Sequence, residues 1–217
     1  MMRKVTWLLI GLVGVVLGYG GFGFKMLFVN SGSLKQWLNE FNREWGGSDS
    51  FLFPGPLWWL EGHGRGQTGP VTLGGGGAIT YCSLKSDSLG TKIAGVSGGF
   101  KLGYPIALNP RLEVQPNVDL GLNNLLVFVH SLEPGMSNFN RWFLTWGFHA
   151  LPAVMVAVRF RSGVSSYIGF YVNGGYLLPL GSQNRYGNEP APAFSARGWS
   201  IDAGIVFGRT VPKPFRI

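Results

Sequence analysis

The stretch LEVQPNVDLGLN, residues 112–123, alternates apolar and polar side chains almost without a break. Leu112, Val114, Val118, Leu120 and Leu122 are apolar, and the positions between them carry Glu, Gln, Asn, Asp and Asn. Strict alternation predicts a β-strand with one apolar and one polar face. The fold then depends on which of the two faces points towards the interior.

Composition narrows the fold class before any strand is placed. Only 13% of the 217 residues are charged, whereas an ordinary soluble domain has about 25%. Hydrophobic residues make up 46% and aromatic residues 14%, and there are 35 glycines. No apolar run of about 20 residues follows the N-terminal segment, so a membrane-spanning helix is not predicted there. An apolar, glycine-rich chain of this length is enough for one all-β barrel or sandwich.

Eight strands are predicted, with the 112–123 stretch inside the fifth. Their approximate ranges are 22–28, 57–65, 71–83, 93–106, 112–129, 142–160, 164–180 and 197–209. Tight turns are predicted at 66–69, 107–110 and 161–163, and longer connections at 30–56, 84–92, 130–141 and 181–196. Since short and long connections alternate, the short ones share one end of the fold with the chain termini.

Along most of these strands, alternate positions, which share one face of the sheet and are called one parity, carry bulky apolar side chains. They include Val96, Phe100, Leu102, Tyr104, Trp142, Leu144, Trp146, Phe148, Val154, Val156, Val158, Phe160, Ile168, Phe170, Val172, Tyr176, Leu178, Trp199, Ile201, Ala203, Ile205 and Phe207. The opposite parity carries Lys25, Glu61, His63, Arg65, Lys101, Glu113, Asp119, His149, Arg159 and Asp202. It also carries Gln115, Asn117, Asn123, Tyr167, Tyr171 and Asn173.

Size decides which set is inside. The narrow lumen of an eight-stranded barrel cannot hold this many Trp, Phe and Tyr side chains. With the bulky set turned outward to lipid, small residues and the polar set fill the lumen. Four cations and four anions, apart from histidine, then neutralise one another there, because unpaired buried charges are costly. Closure of the barrel leaves no unpaired strand edge in lipid. The sequence therefore predicts an all-β, eight-stranded, up-and-down antiparallel transmembrane β-barrel.

The pattern resembles the small eight-stranded outer-membrane barrels of the OmpA/OmpX type. The last strand, DAGIVFGR at 202–209, is similar to the C-terminal assembly signal of that class, with Gly204 and Phe207 in matching places. The chain departs from the class by continuing through TVPKPFRI and by placing Pro116 and Pro152 inside strands. The resemblance implies insertion by the barrel assembly machinery and contact with outer-membrane lipid and lipopolysaccharide.

The N-terminal segment has the layout of a secretory signal peptide. Arg3 and Lys4 precede an apolar stretch at 7–17, and Val16-Leu17-Gly18 supplies small or modest residues at the −3 and −1 positions of a cleavage site. We expect residues 1–18 to be the signal peptide and residues 19–217 to form a single barrel domain in the bacterial outer membrane.

One short amphipathic helix is predicted at 33–45, in the first long connection. Leu34, Trp37, Leu38 and Phe41 follow helical spacing, Ser33 can cap the start and Gly46-Gly47 can end it. The polar face is mixed in charge, which disfavours a basic membrane-surface helix. We expect the helix to act as a plug or lid at the barrel rim, with an ordinary loop helix as the alternative.

No motif in the sequence specifies a catalytic chemistry or a cofactor. GYGGFG at 18–23 lacks the strand–turn–helix context of a dinucleotide site, and no two histidines stand at metal-ligand spacing. The formal net charge of +8 has no nucleic-acid-binding motif beside it. His130-Ser131 invites comparison with membrane lipid hydrolases, although adjacency shows neither a base nor an orienting group.

The sequence favours a structural or surface-interaction role, with no cofactor, no metal and no nucleic acid as partner. In that reading the ten charged and histidine residues of the polar parity form a balanced lumen network that could line a binding site or channel. A narrow channel or small-ligand barrel, a membrane lipid-modifying enzyme and a soluble exported lipocalin-like barrel remain as alternatives.

Overall fold

A computed structural model describes residues 19–29, 32–44, 56–68, 70–86, 89–132, 140–161, 166–186, 189–190 and 197–209. The signal peptide expected at 1–18, the helix-ending Gly46-Gly47 and the tail at 210–217 lie outside these described residues. So do the connections at 45–55 and 133–139.

Eight long strands and one helix make up the described part of the chain. The strands are β1 (Tyr19–Val29), β2 (Leu57–Thr68), β3 (Val71–Lys85), β4 (Leu89–Gly103), β5 (Leu112–Ser131), β6 (Asn140–Arg161), β7 (Ser166–Tyr186) and β8 (Gly198–Arg209), and α1 (Gly32–Glu44) lies between β1 and β2. Two-residue extended pairs at Ile106–Ala107 and Glu189–Pro190 extend the edges of β5 and β7.

Each strand pairs antiparallel with its neighbours in the chain, and the last strand closes the sheet on the first. Tyr19 of β1 lies opposite Gly208 of β8, and Val29 lies opposite Gly198. β8 pairs on its other edge with β7, from Gly198 opposite Leu177 to Arg209 opposite Ser166. The predicted closed, up-and-down eight-stranded antiparallel barrel is therefore confirmed.

The bulky apolar parity faces outward, as the lumen size requires. Phe100, Phe170 and Trp199 are 66%, 62% and 64% exposed, whereas their strand neighbours Lys101 and Tyr171 are buried. Successive residues of a strand point to opposite faces, so this exposure pattern places the large apolar side chains of one face outside. It is the surface of a transmembrane barrel, which presents a hydrophobic band to lipid. A soluble lipocalin-like barrel needs charges on its outer face, and the structure contradicts that alternative.

The two ends of the barrel differ in their connections. We call the end with 69–70, 104–111 and 162–165 the turn end, and the end with α1, 86–88, 132–139 and 187–197 the loop end. The long connection predicted at 84–92 is wrong, because β3 continues to Lys85 and β4 begins at Leu89. The alternation of the strands simply continues there, with Leu84 packed against the apolar core and Lys85 exposed.

The two prolines inside predicted strands neither end those strands nor sit in a bulge. Pro116 pairs with Val154, and Pro152 pairs with Val118. The carbonyl of Pro116 accepts a hydrogen bond from the amide of Tyr104 just beyond the end of β4, at 2.9 Å. Pro152 lies where the β6–β7 ladder has no pairing, since pairing stops at Ala150 and resumes at Ala153. The bulge itself falls nearby, between Phe148 and His149.

The helix lies within one residue of its predicted position. Its bounds are Gly32–Glu44, against the predicted 33–45. Leu38 is fully buried and Phe41 nearly so, while Lys35 and Gln36 are exposed. Among the described residues, no helix is both long enough and apolar enough to cross a membrane.

Candidate functional site

The barrel interior contains two layers of different chemistry. The charged layer, towards the turn end, holds the ten predicted residues: Lys25, Glu61, His63, Arg65, Lys101, Glu113, Asp119, His149, Arg159 and Asp202. All are buried except Arg159, whose side chain is 19% exposed. The apolar layer, towards the loop end, comprises Leu27, Leu57, Trp59, Leu89, Ile93, Leu125, Val127, Val129 and Phe143.

Glu61 is the centre of the charged layer. It forms an ion pair and hydrogen bond with Lys101, and its other oxygen lies 3.8 Å from Lys25 Nζ. His63 Nδ1 also lies 3.8 Å from Glu61 Oε1. Lys101 reaches a second carboxylate, with Nζ 3.6 Å from Asp119 Oδ2. Alternating cations and anions thus join strands β1, β2, β4 and β5 across the lumen.

A chain of amide side chains continues the polar layer to the opposite wall. Asn117 Nδ2 donates to Asn173 Oδ1 at 3.1 Å, and Asn173 Nδ2 donates to Asp202 Oδ2 at 3.0 Å. Gln115 donates to the Thr72 hydroxyl. Because an amide both donates and accepts, these side chains bridge strands without adding charge.

A second ion pair stands close to the turn end. Arg159 on β6 donates to Glu113 on β5, and its guanidinium lies over the ring of Tyr167 at 4.8 Å from the centroid. Arg65 reaches across from β2, where its Nη1 lies 4.0 Å from Met155 Sδ. The turn-end part of the lumen therefore contains two long cationic side chains, Arg65 and Arg159, that contact residues of other strands.

Glycines on the inner face make room for these long side chains. A Cβ added at Gly99 would lie 2.6 Å from Asp119 Oδ1, and one added at Gly121 would lie 2.9 Å from His149 Cε1. At Gly76 it would lie 3.1 Å from Lys101 Cε. These inward glycines thus have a specific cause, since the long charged side chains lie over positions of the adjacent strands that have no side chain.

We predict that Gly99→Ala destabilises the barrel by about 1–3 kcal/mol, because the new methyl group overpacks the Asp119 carboxylate and the Leu120 carbonyl. Gly174→Ala is the matched control, since its Cβ meets nothing within 4 Å on the outer face. Urea titrations of both variants in the same lipid vesicles measure the difference. Equal unfolding midpoints for the two variants would show that the inner wall is not tightly packed.

Several buried polar atoms of the charged layer have no hydrogen-bond partner among the described residues. They include both ring nitrogens of His63, Nε of Arg65 and the hydroxyl of Tyr171. The His63 ring instead meets the Tyr171 ring edge-on, with centroids 5.2 Å apart. Buried polar groups in native proteins are satisfied by water where protein groups do not reach them. We therefore expect ordered water between these side chains.

The apolar layer was not foreseen from the sequence, which predicted a lumen filled by small and polar residues. Leu125, Val127 and Val129 point inward and are buried, while Leu126 on the same strand points outward. The available signal was the run LLVFV at 125–129, in which both parities are apolar. Such a run is typical of a strand buried on both faces.

Helix α1 covers the apolar layer at the loop end. Leu38 and Phe41 belong to the same buried cluster as the strand residues, and the Trp37 ring lies 5.9 Å from the ring of Phe143. The helix is also joined to the β3–β4 connection by a hydrogen bond, which the Ser86 hydroxyl donates to Asn42 Oδ1 at 2.9 Å. The amphipathic spacing that predicted the helix is the spacing that turns its apolar face into the barrel.

A small cavity of about 30 Å³ lies between the two layers. It is lined by His149, Thr145 and Asn123 on the polar side and by Trp59, Leu57 and Leu125 on the apolar side. This volume holds a water molecule and is too small for an organic ligand.

His130 and Ser131 do not form a catalytic pair with each other. Adjacent residues of β5 project from opposite faces of the sheet. His130 stacks on Phe128, two residues earlier on the same face, with ring centroids 6.0 Å apart. Within the described part of the chain, no group of three or more His, Cys, Asp and Glu side chains is placed to hold a metal ion. Cys82 has a free thiol and packs against the apolar layer.

Comparison with known proteins gives likenesses among solved structures only. No protein-family model matches the sequence, and no curated protein matches it. Among solved structures, the chain is similar to Ail, the attachment invasion locus protein of Yersinia pestis. The alignment covers 87% of this chain and 98% of Ail, with 10% sequence identity and a TM-score of 0.41.

Proposed function

We propose that the chain is an exported, integral outer-membrane barrel with a structural or surface-interaction role, and that its lumen does not conduct. The observation that carries this proposal is the filled interior. Along the lumen axis, a neutral ionic layer is followed by an apolar layer, and α1 packs against the apolar layer.

Each layer opposes ion flow for a different physical reason. The charged layer pairs Glu61 with Lys101 and Glu113 with Arg159, so its ions are held by partners rather than left free to coordinate a passing ion. The apolar layer offers no polar group to replace the hydration shell of an ion, and Leu38 of α1 is fully buried against it. Ion transfer into such a layer costs many kcal/mol.

The proposed location follows from the outer surface and the N-terminus. The apolar parity forms a lipid-facing band on every strand, and the expected signal peptide directs the chain to the envelope. The excess positive charge lies outside the ionic layer, because four cations and four anions cancel within it. Cationic turns and loops are attracted to anionic lipid head groups, including lipopolysaccharide, and the barrel assembly machinery is the proposed insertion route.

Each of the remaining alternative functions requires a different arrangement of these residues. A narrow channel or small-ligand barrel requires α1 to leave the mouth and the Glu61–Lys101 pair to open. A lipid-modifying enzyme requires a nucleophile with a base of its own, which His130 and Ser131 do not supply to each other.

Two measurements on the wild-type chain test the proposal. In fractionated cells the protein is expected in the outer membrane, with a folded band whose electrophoretic mobility changes on boiling. In planar bilayers the purified barrel is expected to give no current steps above the protein-free baseline, with a known porin as positive control. Recovery in the soluble periplasm without a heat-modifiable band contradicts the membrane assignment. Reproducible current steps contradict the closed lumen.

A further inference from the structure

The outer surface of the barrel carries a groove that crosses the sheet from β3 to β8. Its volume is about 630 Å³, and we call it the outer groove. The outward-facing residues that line it are Val71, Leu102, Tyr104, Pro116, Val118, Pro152, Val154, Gly174, Tyr176 and Trp199.

The groove exists because three neighbouring outward positions lack bulky side chains. Pro116 and Pro152 are compact, and Gly174 has no side chain, so its position opens on empty space. Around them the outer surface is built from large side chains, such as Leu120, Phe148 and Phe170, that are each more than half exposed. The depression is therefore local and does not extend around the barrel.

The two ends of the groove lie at opposite ends of the barrel. Tyr104 follows the turn end of β4, and Trp199 stands at the loop-end start of β8. Between them the groove crosses β5, β6 and β7, which is roughly 19 Å at about 4.8 Å per strand spacing. Tyrosine and tryptophan are typical of the two membrane interfaces, so the groove leads from one interface towards the other.

A fixed cation stands at the loop-end of the groove. The Arg197 side chain is exposed, and its Nε donates to the Tyr176 hydroxyl at 3.1 Å. The guanidinium lies 5.9 Å from the centroid of the Tyr176 ring, and that ring meets Trp199 edge-on at 5.1 Å. One aromatic pair thus lines the apolar groove and also positions a guanidinium, which is suited to a phosphate group.

We propose that the outer groove is a binding site for one anionic membrane phospholipid. Its acyl chain lies along Gly174, Pro152 and Val154, and its phosphate pairs with Arg197. The charge at one end of an otherwise apolar groove matches an amphiphile with an anionic head, and a zwitterionic lipid gains less from the same cation. This inference rests on the proposed membrane location and adds a lipid site to it.

The test is native mass spectrometry of the detergent-solubilised barrel with equal amounts of phosphatidylglycerol and phosphatidylcholine of identical chains. The wild type is expected to retain one phosphatidylglycerol, with at least tenfold preference. Arg197→Gln is expected to abolish the preference, because the phosphate loses its partner. Gly174→Leu is expected to reduce retention of both lipids at least tenfold, because the new side chain fills the groove.

Gly98→Leu is the matched control for Gly174→Leu. Gly98 also faces outward in mid-strand, where an added Cβ meets only the Gly76 carbonyl at 3.7 Å, and it lies outside the groove. Equal retention of the two lipids by the wild type would overturn the site, as would an equal loss in Gly98→Leu. A wild-type dimer without bound lipid would assign the groove to a second copy instead. A heat-modifiable band in each variant shows that its barrel has folded. A loss of lipid retention in such a variant then concerns the lipid site and not the membrane fold.

Discussion

Replacing Glu61 with glutamine is expected to lower the free energy of unfolding by about 3–5 kcal/mol, the range observed when a buried ion pair loses one partner. Glu61 contacts Lys25, Lys101 and His63 inside the barrel. The neutral amide leaves two buried ammonium groups without their shared carboxylate. Urea titration of the barrel in lipid vesicles, with the heat-modifiable band as the readout of the folded fraction, measures this loss of stability.

A double-mutant cycle with Lys101→Met separates the ion pair from general effects of substitution. The two single variants are each expected to be destabilised, and the double variant is expected to be more stable than the sum of the two losses predicts. Glu40→Gln on the exposed face of α1 is the matched control, with a change within about 0.5 kcal/mol. A Glu61→Gln barrel as stable as this control would show that the ionic layer does not hold the strands together.

Replacing Leu38 with alanine is expected to weaken the docking of α1 by about 2–5 kcal/mol, because a fully buried leucine leaves a cavity in the apolar layer. The helix has exposed trypsin sites at Lys35 and Arg43, which become cleavable when it leaves the barrel. Since a tenfold change corresponds to about 1.4 kcal/mol, tryptic cleavage in α1 should accelerate at least tenfold.

Gln36→Ala is the matched control, since Gln36 lies on the exposed face of the same helix. Its cleavage rate is expected to stay within about twofold of the wild type. A Leu38→Ala helix cleaved no faster than this control would contradict the packing of α1 into the barrel mouth. A wild-type helix cleaved at the rate of an unfolded peptide would contradict it as well.

The barrel could be predicted from the sequence because its strands are long and two-faced. The alternation of 112–123 recurs on β4 as Phe100 and Leu102 around Lys101, and on β8 as Ile201 and Ala203 around Asp202. A register shift by one residue would invert every face. The number of large aromatic side chains then indicated which strand face points outward, since a lumen of this width has no space for them.

The interior could be predicted only in part. Individual charges on the inward parity were visible in the sequence, but their partners depend on how far each side chain reaches across the lumen. Lys101 meets Glu61 from β4, a strand that does not neighbour β2, and no local pattern encodes that contact. The apolar layer was missed because the inward face of each strand was assigned one chemistry along its whole length. On β5 that face changes from charged at Asp119 to apolar at Leu125.

The most direct measurement is the accessibility of three consecutive β6 positions in lipid vesicles, each as a single cysteine in a Cys82→Ser background. Nitroxide labels at Val156→Cys and Val158→Cys are expected to be relaxed by oxygen dissolved in the bilayer and not by a water-soluble nickel chelate. The Ala157→Cys thiol, which points into the lumen, is expected to remain unlabelled. Nickel relaxation at positions 156 and 158, or rapid labelling at 157 by a membrane-dissolved reagent, would contradict the lipid-facing apolar surface around a filled interior.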